Sequence, residues 1–254
     1  MSGAAFPTEA IGRAAGLIAE ADALLVTAGA GMGVDSGLPD FRGPEGFWKA
    51  YPALGRRGIG FTDIACPAAF DSEPRLAWGF YGHRLALYRE IEPHEGFQVL
   101  RRLGQGKRHG LRVFTSNVDG QFQKAGIPQA HVAECHGSIH VLQCLDGCGQ
   151  PVWPADDLEP DIDEAAGQWR GELPACPRCG GIARPNILMF GDWGWTGKRY
   201  DEAELRVIDW AARARQLVVI ELGAGTAIPS ARRFGERTRQ PLVRINVRES
   251  EVAR

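Results

Sequence analysis

The amino-acid sequence predicts an α/β fold, a Rossmann-like parallel sheet with helices on both faces and a smaller domain inserted in it. Short apolar runs alternate with stretches of helical periodicity, the pattern of strands buried on both faces and joined by helical crossovers. The first run, Ala23 to Ala28, ends abruptly in Gly29-Ala30-Gly31-Met32-Gly33, as a buried strand entering a tight turn does. Two segments interrupt the alternation: residues 44–90, rich in Gly, Pro and aromatics before turning helical, and 138–185, which hold cysteine pairs among prolines and acidic residues.

Taken in order, residues 8–20 carry Ile11, Ala14, Ala15, Leu17 and Ile18 at helical spacing, with Thr8 after Pro7 as the expected N-cap. After Ala23 to Ala28, further strands are expected at Arg112 to Thr115, His131 to Glu134, Leu217 to Leu222 and Leu242 to Asn246. Helices are expected near 94–104 and 201–215. The larger domain then comprises 1–43, 91–137 and 186–254, and the smaller one 44–90 and 138–185.

Composition excludes several classes. The 254 residues carry 29 basic and 31 acidic side chains without a long basic run, which argues against affinity built on nucleic-acid phosphates. The N-terminal stretch lacks the charge and apolar pattern of an export signal, and no long uncharged apolar run could span a membrane. A cytoplasmic protein is the expectation, and the oligomeric state is left open.

Four of the six cysteines fall as Cys144-x3-Cys148 and Cys176-x2-Cys179. In a reducing compartment such pairs are metal ligands more often than disulfides. Four thiolates make a closed tetrahedral zinc site, which holds a fold together rather than activating water.

The turn Gly29-x-Gly31-x-Gly33 can present amide groups to a pyrophosphate, but Val34 occupies the place of the third glycine of the usual fingerprint, and a plain strand-to-helix turn fits equally well. Asn117 and Asp119 follow a strand and should stand at its carboxyl end, where open α/β sheets bind ligands. His136, between an apolar run and Gly137, reads as an exposed imidazole with an ordinary pKa, suited to general base work near neutrality.

Together, Gly29-Ala30-Gly31 through Pro39-Asp40-Phe41-Arg42, Thr115-Ser116-Asn117-Val118-Asp119, Glu134-Cys135-His136-Gly137, the four cysteines, Phe190-Gly191-Asp192 and Ile245-Asn246 resemble, in family order, the signature of the sirtuins. The resemblance implies an NAD-dependent protein-lysine deacylase that releases nicotinamide, O-acyl-ADP-ribose and free lysine. It implies that NAD contacts Gly29, Ala30, Gly31, Asp40, Phe41, Arg42, Ser116, Gly223, Gly225, Thr226 and Asn246. Asn117 would position a water and the cofactor ribose, Asp119 the nicotinamide amide, and His136 would accept a ribose hydroxyl proton. The substrate backbone would pair as a strand with Leu188, Phe190 and Gly191. One structural zinc on Cys144, Cys148, Cys176 and Cys179 takes no part in the chemistry.

Tyr81 and Arg84, spaced i, i+3, lie on one helix face. Spacing alone reads as a helix with Tyr81 half in the core and Arg84 solvated. The surrounding segment, however, is similar to the desuccinylase class of sirtuins, in which such a pair faces the end of the acyl tunnel. That similarity implies a preference for succinyl and malonyl groups, whose carboxylate a guanidinium can grip in a two-pronged bond.

Some positions depart from the family pattern. Ser116 stands for a usual glutamine, Gly33 for a serine and Asp192 for a glutamate, while Gly223 to Pro229 is one residue short of the usual phosphate loop. These leave open a mono-ADP-ribosyltransferase or NAD glycohydrolase, and, from another class, a non-catalytic NAD-sensing adaptor. His136, Asn117 and Asp119 together weigh against the adaptor, because a sensor has no need of a base beside the ribose.

Overall fold

A computed structural model describes residues 7–39 and 43–252. Five parallel strands, β1 (Ala23–Ala28), β2 (Leu111–Thr115), β3 (Val132–Glu134), β9 (Leu217–Leu222) and β10 (Leu242–Ile245), form the main sheet in the order β10-β9-β1-β2-β3. Between β3 and β9 lie β4 (Gly137–Cys144), β5 (Trp153–Pro154), β6 (Ile162–Asp163), β7 (Gln168–Trp169) and β8 (Ala183–Ile187), which build a three-stranded antiparallel sheet, β5-β4-β8, and the β6-β7 ribbon.

The helices are α1 (Thr8–Glu20), α2 (Gly31–Val34), α3 (Gly43–Ala50), α4 (Pro52–Arg56), α5 (Phe61–Ile64), α6 (Pro67–Ser72), α7 (Pro74–Glu90), α8 (Glu95–Gln105), α9 (Gln121–Lys124), α10 (Lys198–Ala211) and α11 (Ser230–Arg237).

Alternation within the strands explains why each reads as a continuous apolar run. Leu24 and Val26 of β1, Val113 of β2 and Val218 and Ile220 of β9 face one side, where Phe97 and Leu100 of α8 and Phe122 of α9 cover them. Ala23 and Leu25, Phe114, and Leu217 and Val219 face the other, under Ala203, Val207 and Trp210 of α10 and Phe234 of α11. Both faces are covered, so polar alternation has no place.

The sequence expectation at 201–215 sits about one turn too far along. The helix ends at Ala211, because the Asp22 carboxylate accepts the backbone amides of Arg215 and Gln216 at 3.1 Å each and draws that segment into a connection. Thr8 is the first helical residue rather than the cap, which is Pro7. Helix α11 carried too few apolar residues to be foreseen; Ala231, Phe234 and Gly235 are its buried positions.

The third core joins the two interrupting segments. Trp78 of α7 donates its indole N–H to the Ala183 carbonyl at 2.8 Å and packs against Trp169, with ring centroids 5.6 Å apart. Two glycines inside α7 make this approach possible. A Cβ on Gly79 would meet the Gly167 carbonyl oxygen at 2.0 Å, and one on Gly82 would meet the Trp169 ring at 2.8 Å. The helix gives up propensity there to let β7 lie against its backbone.

Candidate functional site

With the strands in this order, the chain reverses direction across the sheet between β1 and β9, and a crevice opens beyond their carboxyl ends. The turn after β1 and the turn after β9 meet there. Gly29 donates its amide to the Leu222 carbonyl and Gly31 to the Gly223 carbonyl, each at 3.0 Å. A Cβ on Gly29 would meet Ala224 Cα at 2.8 Å, and one on Gly223, at φ +58°, would meet the Met32 nitrogen at 2.3 Å. These two glycines are therefore required by one another. Gly225 differs: the nearest atom to its added Cβ is a Glu249 carboxylate oxygen at 3.8 Å, so its backbone is open to a ligand. Asp40, Phe41 and Arg42 lie outside the described residues.

An anion cradle is visible on the β9 side, and a carboxylate of the chain already uses it. Glu249 accepts from the Thr226 amide at 3.0 Å and the Thr226 hydroxyl at 2.8 Å, and lies 3.5 Å from Arg232. Asn246 organises this corner by donating to the Ala224 carbonyl and accepting the amides of Arg248 and Glu249. Sequence reasoning found Thr226 and Asn246 but not Glu249 or Arg232, which no motif marks.

Asn117, Asp119 and His136 converge from the ends of β2 and β3. Asn117 is buried and donates its side-chain amide to the Gly29 carbonyl at 3.1 Å, tying the β2 loop to the β1 turn and leaving Oδ1 as an acceptor. Asp119 is also buried, which pushes its carboxyl up to about 6 despite the Gln121 amide, which donates to Oδ1 at 2.9 Å, and the positive charge of Arg84. Behind it lies a cavity of ≈ 360 Å³ that also touches Glu134 and His140. Burial holds Glu134 at about 7.

His136 is not the exposed imidazole expected from sequence. It is partly buried, and desolvation lowers its pKa below the ordinary value, partly offset by a hydrogen bond to the Ser116 backbone. That bond calls for a protonated ring nitrogen, which leaves Nε2 as the acceptor for Ser230 Oγ at 3.1 Å. Ser116, short as it is, orients the imidazole through its main chain. Ser230 is a second contact that sequence reasoning missed.

Leu188 and Phe190 follow β8 as an exposed lip. The lip is held by a fully buried ion pair between Arg184 and Asp192 at 2.8 Å, and by Asn186, which binds Gln143 and Tyr200 at 2.7 Å each. An aspartate suits position 192 because its carboxylate also takes the amides of Met189 and Gly194. The amides of Leu188 and Phe190 go to the carbonyls of His136 and Ala65, both at 2.9 Å. Both of these amides are thus already satisfied within the chain.

Tyr81 and Arg84 are both buried, at 1% and 8% exposure, so the solvated arginine suggested by spacing is wrong. Arg84 donates through Nε and a terminal nitrogen to the Tyr88 hydroxyl at 3.0 and 2.8 Å, and its Cζ lies 5.3 to 5.7 Å from the ring centroids of Phe80, Tyr81 and Tyr88. Tyr81 stacks on Phe70. The pair meets by guanidinium over ring, within an aromatic wall.

The cysteine sulfurs fit a tetrahedral metal. Four thiolates at ~2.3 Å from zinc stand about 3.8 Å apart. Cys144 and Cys179 are 3.7 Å apart, Cys148 and Cys176 3.6 Å, and all four sulfurs lie within 4.8 Å of one another, none in a disulfide. Cys144, Cys148, Cys176 and Cys179 would hold the ion with no position left for water.

The parallel sheet with paired glycine turns at its carboxyl edge, polar side chains at the ends of β2 and β3, and a four-thiolate cluster fit a nucleotide-binding α/β protein with a structural metal site. Comparison with known proteins agrees: the Sir2 family model matches residues 29–209, and the chain belongs to that family. It is 33% identical over 218 residues to NAD-dependent protein deacylase 1 of Pseudomonas aeruginosa, covering 85% of this chain and 78% of that protein. It is 34% identical over 190 residues to the mitochondrial NAD-dependent protein deacylase sirtuin-5 of Danio rerio, covering 68% of this chain and 58% of that protein. Among solved structures, a Sir2 homolog–NAD complex superposes with a TM-score of 0.69 at 25% identity, over 92% of this chain and 82% of that one.

Proposed function

We propose that this protein is an NAD-dependent protein-lysine deacylase, and that one observation carries the reading furthest: His136, with Nε2 3.1 Å from Ser230 Oγ, lines an open groove together with Leu188 and Ser230. Bound NAD would supply a ribose carbon whose bond to nicotinamide breaks as its bond to the acyl oxygen forms, so that nicotinamide is the leaving group and the ADP-ribose part keeps the acyl group. The chain's own residues bind and orient. Gly225 offers the phosphates an open backbone, and Thr226 offers its amide and hydroxyl once an incoming anion displaces the Glu249 carboxylate, with Asn246 and Arg232 close by. Asp119 offers its remaining carboxylate oxygen to an amide N–H, and Asn117 Oδ1 orients a hydroxyl or water. His136 takes the ribose hydroxyl proton on Nε2 once Ser230 turns aside. The four thiolates keep the metal out of the chemistry, and their persistence as ligands favours a reducing, cytoplasmic setting.

The same reading extends to the acyl group. Arg84 sits buried among three aromatic rings with two of its nitrogens on the Tyr88 hydroxyl, and a guanidinium can grip a succinyl or malonyl carboxylate in a two-pronged bond that an acetyl group does not offer. A charged hydrogen bond of ~1.5–3 kcal/mol corresponds to roughly 10- to 100-fold preference over acetyl. Arg84→Met should abolish that preference while lowering acetyl-lysine turnover much less, measured as kcat/KM on matched peptides. Equal loss on both acyl classes, or no preference in the wild type, refutes the assignment.

A further inference from the structure

Helix α11 presents three residues at i, i+3 and i+7, hence on one face: Ser230, Arg233 and Arg237. Ser230 touches His136, so this face runs outward from the reactive nitrogen. The face forms one wall of a groove of ≈ 730 Å³ lined by His136, Leu188 and Ser230 together with Arg233, Arg237 and Arg239. Phe234, one turn beyond Ser230 and flanking this face, stacks flat on Phe114 at 3.8 Å between ring centroids, so the helix that carries the arginines is anchored on β2.

Helix stability accounts for Arg237, a cation in the last turn, but not for Arg233. Arg233 lies in the first turn, where a cation opposes the helix dipole. Among the described residues none of the three arginines forms an ion pair, whereas the neighbouring Arg232 is engaged with Glu221 and Glu249. Two carboxylates border the groove. Glu236 is drawn away by Arg244 at 2.7 Å, which leaves Glu204 of α10 facing three guanidinium groups.

We infer that this groove selects acyl-lysines flanked by acidic residues, so that the substrate is a negatively charged peptide segment lying along α11. The inference rests on the deacylase reading and names its substrate class. Along the helix, Arg233 and Arg237 are ~4.5 and ~10.5 Å beyond Ser230 at 1.5 Å per residue. An extended chain advances ~3.3 Å per residue, so the arginines fall within a few positions of the modified lysine. Exposed charges of this kind act on encounter and affinity more than on the chemical step.

The test uses the full-length protein, NAD and peptide pairs with one identical acyl group, differing only in Asp/Glu or Lys/Arg at the four positions on either side of the lysine. The expected result is a 3- to 10-fold lower KM for the acidic member, the scale of a few exposed ion pairs, with similar kcat and a difference that shrinks as salt is raised. Arg233→Glu with Arg237→Glu should invert the preference, and Arg233→Gln with Arg237→Gln should erase it. Equal KM values for both peptides, or an unchanged preference in both variants, overturns the inference. Fluorescence anisotropy of the same labelled peptides measures the groove without turnover. Acidic-selective binding with no deacylation of any peptide sustains the groove and rejects the deacylase reading, while unselective binding rejects the groove alone.

Discussion

His136 sets the pH behaviour of the site. Burial lowers its pKa from the ordinary ~6.5, so at neutral pH the imidazole is uncharged and Nε2 is ready to accept a proton. The rate should be flat above neutrality and fall on the acid side as His136 protonates, with the midpoint below ~6.5. His136→Ala should fold and bind NAD but lose at least ~10²-fold in deacylation and lose that acid limb. Near-normal turnover of the purified variant would remove His136 from the mechanism. The residue was legible in sequence through Glu134-Cys135-His136-Gly137, but its burial was not, because the side chains that cover it arrive from distant segments. Ser230 is ninety-four positions away and reaches Nε2 only because α11 packs on β2. Glu249 and Arg232 were illegible for the same reason: each is an ordinary surface type until the β9 turn and the C-terminal segment are brought together.

At the scale of elements, the four-cysteine module is coupled to the substrate lip. Strand β8 pairs with β4 beside Cys144 and runs on into Leu188 and Phe190, and β7 lies against Gly79 and Gly82 of α7. Loss of the metal should therefore disturb the lip and α7 before it disturbs the main sheet. Cys176→Ser, or chelation, should lower thermal stability and peptide turnover while NAD binding persists, because structural zinc binding is coupled to folding. Metal analysis showing no zinc in the purified protein, or full activity with the metal stripped, contradicts this. The strands of the main sheet were readable since each is buried on both faces and keeps an unbroken apolar run. Helix α11 was not, because it is a short element that buries only three of its positions, two of them Ala and Gly, and the end of α10 was displaced by a hydrogen bond to Asp22 that periodicity cannot register.

At the scale of the whole molecule, two carboxylates lie under the crevice at a cost to stability. Glu134 is raised from 4.5 to about 7 and Asp119 from 3.8 to about 6, each first by desolvation. A group whose folded pKa is raised contributes stability that is fully present below its unfolded pKa and is lost as pH rises through the folded value. For Glu134 that window runs from about 4.5 to about 7. Glu134→Gln removes the titration, so its unfolding free energy should rise relative to wild type as pH goes from about 4.5 to about 7, by about 3 kcal/mol at most. A gap that does not grow with pH would show that Glu134 is not buried as described. The order of strands, the interrupted chain and the thiolate module all place this crevice where a nucleotide and an acylated lysine can meet, and the reaction is the part of the account that product chemistry tests directly. Incubation with NAD and a succinyl-lysine peptide, with mass spectrometry of every product, should yield nicotinamide, O-succinyl-ADP-ribose and unmodified lysine in equal amounts; ADP-ribose attached to protein, or free ADP-ribose with the acyl-lysine intact, would contradict it.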